Sequence, residues 1–183
     1  MSLPIITCPT DCTYEIPVVS MDVCNPYVDF DEIDHVYLTA IDQELADWTD
    51  LAEWVTRLDD TTTGNPADIR DLHVSGEMPK PEYTIVKVSL KREVESEKKF
   101  TLNAMIDETN TINYDAARQL QCQGRALLWY SAGRFMYGGT NGIEVNVQAN
   151  HIITKGNEEL NTIELILTWY ADHHPERIAN PLI

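Results

Sequence analysis

Phe100-Thr101-Leu102-Asn103-Ala104-Met105-Ile106 carries a buried-type side chain at every second position. A strand turns successive side chains to opposite faces, so Phe100, Leu102, Ala104 and Ile106 line one side of a sheet and Thr101, Asn103 and Met105 the other. The same period of two extends upstream. Leu72, Val74, Gly76 and Met78 alternate with Asp71, His73, Ser75 and Glu77. After a break at Pro79 and Pro81, Val86, Val88, Leu90 and Val94 alternate with Lys87, Ser89, Lys91 and Glu93. Charged Glu95-Ser96-Glu97-Lys98-Lys99 reads as a hairpin tip, which makes 83–94 and 99–107 one long ribbon reaching beyond the core.

Downstream the strands continue. Ala126–Tyr130 is followed by a Ser131-Ala132-Gly133 turn, Arg134–Tyr137 by the turn Gly138-Gly139-Thr140-Asn141-Gly142. Ile143, Val145, Val147 and Ala149 begin another strand, Lys155-Gly156-Asn157-Glu158 turns it, and Thr162–Tyr170 closes the series. This last strand is apolar on both sides, with Ile163, Leu165, Leu167 and Trp169 on one face and Ile166 and Tyr170 on the other. Such a strand is expected at a sheet centre or an interface.

Two helices interrupt the strands. Leu45, Trp48, Leu51, Ala52, Val55 and Leu58 recur at spacings of three and four, and Asp50 with Glu53 has the form of a capping box, so a helix is expected near 51–58. A second fits 114–123, with Asn113 as N-cap, Gly124 after its end, and Ala117, Leu120 and Cys122 toward the sheet. Val36–Ala40 is a short strand before the first helix, and 59–66 is a polar loop. The four tryptophans, Trp48, Trp54, Trp129 and Trp169, fall on or near core faces; Tyr130, Tyr137 and Tyr170 suit either a core rim or an interface.

The first thirty residues keep no period. Pro4, Pro9, Pro17 and Pro26 separate the apolar pieces Ile5-Ile6, Ile16 and Val18-Val19, so the stretch reads as an arm lying extended on this subunit or a neighbour. The organisation is then an arm over 1–35, a β-rich core over 36–171, and an extended, proline-punctuated tail over 172–183. The fold class is α+β, a mostly antiparallel β-sandwich or barrel with one packed helix.

Composition narrows function. The 183 residues are 43% hydrophobic, enough for a packed core, and no apolar run approaches the roughly 20 residues that cross a bilayer. No secretory signal is expected from Met1-Ser2-Leu3-Pro4 onward. Net charge is −17, and residues 1–80 hold 17 acidic against 3 basic side chains. A chain this acidic is poorly suited to gripping nucleic acid, whose phosphates need cations. The acid serves either as a solvated face or as a surface that repels something negative.

Chemical motifs are sparse. The eight glycines form neither G-x-G-x-x-G nor a Walker A loop, and G-x-S-x-G and H-E-x-x-H are absent. Cys8 and Cys12 are spaced C-x3-C without a matching Cys or His pair nearby, and with Cys24 and Cys122 they are expected as reduced thiols, with metal binding or pairing left open. Asp29-Phe30-Asp31-Glu32-Ile33-Asp34 begins like a calcium loop but has Asp34 and Ala40 where glycine and glutamate are required. Asp172-His173-His174 matches the core of the DHH phosphoesterases, yet that family sets its motif early in a long α/β chain with further acidic ligands downstream, and nine residues follow here. A polar strand exit is expected instead. No catalytic residue, cofactor or metal site is assigned, and no turnover is expected.

The order of a proline-rich arm, a hairpin over 83–107, a helix over 114–123 and further hairpins resembles tailed-phage virion proteins of the tail-tube and neck-ring group. Tyr137-Gly138-Gly139-Thr140-Asn141-Gly142-Ile143-Glu144-Val145, Ile163–Tyr170 and His174-Pro175-Glu176-Arg177-Ile178-Ala179-Asn180-Pro181 look like small structural proteins of crAss-like phages. The likeness spans about residues 70–181. It implies a virion subunit, made in the bacterial host cytoplasm, that forms a homo-oligomeric ring or tube by continuing its sheet into its neighbours. Adjacent tail or neck proteins would be its partners, and DNA would pass through without specific binding. Ile5, Ile6, Val18, Val19, Ile166 and Tyr170 are the expected assembly contacts. A monomeric β-sandwich binding module and a metal-dependent hydrolase are the alternatives.

Overall fold

The alternating stretches form strands. A computed structural model describes residues 32–58, 67–83, 85–89, 92–95, 98–106, 111–152 and 161–183, with 85–89 and 92–95 described by backbone alone. In chain order these are β1 (Ile33–Thr39), α1 (Leu51–Arg57), β2 (Arg70–Gly76), β3 (Pro81–Glu82), β4 (Ile85–Ser89), β5 (Arg92–Glu95), β6 (Lys98–Ile106), α2 (Thr111–Gln123), β7 (Arg125–Ala132), β8 (Phe135–Tyr137), β9 (Ile143–Ile152), β10 (Thr162–Ala171) and β11 (Arg177–Ala179). The expected arm over 1–30, with Ile5, Ile6, Val18, Val19, Cys8, Cys12 and Cys24, lies outside the described residues, as do the 59–66 loop and the 155–158 turn. Strand β1 begins at Ile33, inside the stretch assigned to the arm.

Six strands in the order β1-β2-β6-β10-β9-β7 run side by side, all antiparallel, and β1 pairs back onto β7. The result is a closed barrel within an α+β chain. Its interior is built from alternate residues: Phe100, Leu102, Ala104 and Ile106 of β6, Ile163, Leu165, Leu167 and Trp169 of β10, Val145 and Val147 of β9, and Ala126, Leu128 and Tyr130 of β7. Closure demands tight approach at one seam. There β2 meets β6 through Ser75 and Gly76, and a Cβ on Gly76 would stand 2.9 Å from the Asn103 carbonyl oxygen. Helix α2 packs Ala117 and Leu120 against the barrel and ends at Gly124, whose φ of +70° and N–H to the Leu120 carbonyl (2.9 Å) match the expected stop.

The structure differs from the expected arrangement at several points. The 83–107 ribbon differs from the expected one: β6 pairs along its length with β10 and in part with β2 and β3, while β4 and β5 pair with each other, so the hairpin turns before Arg92 and not at 95–99. Period two is the same whichever partner a strand takes, so alternation alone misassigned the ladder. Helix α2 starts at Thr111, which places Asn113 inside its first turn and not at the cap, and Cys122 is exposed. Strand β10 is central, as expected, paired with β6 on one side and β9 on the other; the strand buried on both faces within the chain is β7, whereas on β10 Ile166 is half-buried and Tyr170 is 59% exposed. The 172–183 stretch is extended, but it docks on its own chain, with β11 pairing to β8 and Ile178 and Leu182 packed inward.

The second face of β7 explains that docking. Leu127 and Trp129 point out of the barrel into an outer cluster with Tyr37, Leu45, Trp48, Trp54, Ile69 and Met136. Segment 40–58 covers it. Asp50 caps α1 by accepting from the Ala52 N–H (2.9 Å), and Glu53 reaches past the cap to accept from Ala46 and Asp47 N–H (2.8 Å each). Trp54 is the helix's buried residue, while Leu51 and Val55, expected inside, are exposed. Arg57 ties the segment down by donating to the carbonyls of Ala67, Glu44 and Gln43 at 2.7–2.8 Å. Among the described residues, no helix is long and apolar enough to cross a membrane.

The loop 138–142 wraps the Trp129 indole, whose Nε1–H donates to the Gly139 carbonyl at 2.7 Å. Gly142 sits at φ +68°, and a Cβ there would meet Trp129 Cζ2 at 2.7 Å. Gly142→Ala therefore adds left-handed strain and overpacking, each about 1–3 kcal/mol. The expected loss is about 2–6 kcal/mol in urea unfolding, and an unchanged midpoint would contradict the packing described.

Candidate functional site

On the outer wall of the barrel, β1 and β2 gather polar side chains whose spacing in the chain hides their proximity. The antiparallel register sets His35 opposite His73 and Tyr37 opposite Asp71. Directly opposed residues hold their Cβ atoms about 5 Å apart, and diagonal neighbours stay within side-chain reach. A β-bulge between Ile33 and His35 shifts the register. Ile33 and Val36 both face the barrel interior, so Asp34 and His35 turn outward in succession.

The two outward groups then take different partners. Asp34 accepts from the Ser131 hydroxyl on β7 at 2.8 Å. His35 Nδ1 and Asp71 Oδ1 form a hydrogen bond of 2.8 Å, both side chains being about a quarter exposed. The His35 and His73 rings lie 4.2 Å apart between centroids, and His73 is exposed. Beneath them, burial first and the Asp71 carboxylate second push the Tyr37 phenol well above its ordinary pKa, against a hydrogen bond with Ser131; Tyr37 stays protonated.

An open groove of about 480 Å³ runs over this cluster, lined by Asp34, His35, Asp71, His73, Met105 and Asn113 among others. Two imidazoles and one carboxylate on a groove wall form a donor set for a divalent ion. The Ser75 hydroxyl in the groove contacts Glu32 at 3.5 Å and that of Ser131 donates to Asp34. Neither is arranged as a serine nucleophile activated by a histidine.

The residues singled out from sequence lie elsewhere. Asp172, His173 and His174 are exposed, and the His174 ring packs edge-on against Phe100 at 5.2 Å at one end of the barrel interior. Tyr130 stacks on Tyr137 at 4.9 Å in the core, whereas Tyr170 and Ile166 lie on the outer face of β10. Trp48, Trp54, Trp129 and Trp169 are all buried, as expected. The His35–Asp71–His73 cluster escaped the sequence reading because its members are 36 residues apart and meet only through the β1–β2 register; Asp71-x-His73 on one strand face was the available signal. Compared with protein family models, curated proteins and solved structures, the chain matches none.

Proposed function

We propose that this chain is a structural subunit of a tailed-phage particle that assembles into a ring or tube around the DNA path. The observation that carries the reading is the β4–β5 ribbon. It pairs with no barrel strand among the described residues, and the barrel interior closes without it. A lone two-stranded hairpin is marginal in water, so a ribbon of this kind gains its stability from a surface it docks on. A neighbouring copy supplies one. In this reading subunits join through the ribbon and the 1–30 arm, which leaves the closed barrel intact.

Charge supports the same reading. Glu32, Asp34, Asp42, Glu44, Asp47, Asp50 and Glu77 are exposed, and Arg57, the one cation in 32–58, is engaged by three carbonyls. One exposed charge contributes only ~1 kcal/mol at 4 Å in water. Repeated in every subunit around a confined channel, such charges sum to a potential that keeps DNA off the wall. Light scattering of the full chain over a wide concentration range tests the proposal. A discrete multimer of high mass is expected; monomer at every concentration would overturn it in favour of a monomeric binding module.

A further inference from the structure

We propose that His35, Asp71 and His73 form a binding site for a divalent transition-metal ion of the zinc type, independent of the assembly reading. Each residue offers one ligand atom, and the three atoms lie within 4.8 Å of one another. A tetrahedral ion holding nitrogen and oxygen at about 2.1 Å spaces its ligands about 3.4 Å apart. The cluster therefore needs only a small contraction about His73, which is exposed, and a small opening of the 2.8 Å His35–Asp71 contact.

Three features distinguish this arrangement from a chance meeting of polar groups. The ligands stand on two strands locked in register, with His35 directly opposite His73, so their backbones are fixed before any ion arrives. The β-bulge turns His35 outward beside Asp34, and Asp34 is held aside by Ser131, which leaves Asp71 as the carboxylate facing both imidazoles. The groove above gives an ion access and leaves its remaining coordination positions open. Ligand chemistry selects the ion: imidazole nitrogen favours zinc, copper, nickel and iron, whereas calcium and magnesium prefer oxygen alone. Zinc is the probe.

The test is zinc titration of the full chain against a chromophoric chelator, with X-ray absorption at the zinc edge. One equivalent is expected, bound by two imidazoles and further oxygen ligands with no sulfur. His73→Ala and Asp71→Asn should each weaken binding by at least about 100-fold, beyond the 10–100-fold typical of outer-shell changes. His174→Ala and the Cys8→Ser/Cys12→Ser pair should leave it unchanged. His73 is exposed, so its loss spares the core, and the absorption spectrum of the unaltered chain reports on the ligands independently. Sulfur in the coordination shell, no zinc uptake by the unaltered chain, or unweakened binding by His73→Ala would overturn the proposal.

Discussion

Removing the β4–β5 ribbon is expected to abolish assembly while leaving the barrel folded. The register shows how to make the cut. Glu82 pairs with Lys99, so Tyr83 and Lys98 leave adjacent positions of an antiparallel ladder and a short Gly-rich turn can join them. No barrel strand loses a partner, and the interior of Phe100, Leu102, Leu165, Leu167 and Trp169 is untouched. Far-UV circular dichroism should remain that of a β protein, and scattering should report a monomer at concentrations where the full chain is multimeric. Assembly that persists without the ribbon would show that it is not the joining element.

Trp54→Ala should have the largest effect on stability. The side chain is fully buried, its Nε1–H donates to the Trp48 carbonyl at 2.8 Å, and its ring meets Tyr37 and Trp129 edge-on at 5.4 and 5.6 Å. Together with Leu45 and Trp48, which join the same outer cluster, and the Leu45 N–H to the Thr140 carbonyl (3.2 Å), it holds segment 40–58 to the barrel. Truncating a buried tryptophan costs about 3–5 kcal/mol, which for a chain of this size lowers Tm by roughly 10 °C. Val55→Ala, one residue along and exposed, should stay within about 0.5 kcal/mol. Equal effects at the two positions would mean that the helix buries a different face.

That contrast shows where sequence patterns were informative. Strand interiors were legible: Phe100 to Ile106 and Ile163 to Trp169 alternate because a barrel has one dry side, and the burial follows residue by residue. The face of α1 was not. Leu45 and Trp48 belong to the core but lie in the loop before the helix, so joining them to Leu51 and Val55 produced a stripe that no single helix carries. Partner choice was also hidden. Period two tells a strand which way its side chains point and nothing about which strand lies beside it, so the β4–β5 hairpin and β6 were merged. Barrel closure through β1 and β7 and the meeting of His35 with His73 depend on long-range register, which local residue types do not encode. Charge asymmetry was legible as a fact, but its place on the surface required the fold.

A ring or tube with an acidic inner wall would be visible in an electron cryomicroscopy structure of the assembled particle. Repeated subunits are expected whose β4–β5 ribbon and 1–30 arm rest on neighbouring copies, with carboxylates of residues 32–80 lining the channel. Particles whose lumen is lined mainly by lysine and arginine, or in which both ribbon and arm pack wholly within their own subunit, would contradict it.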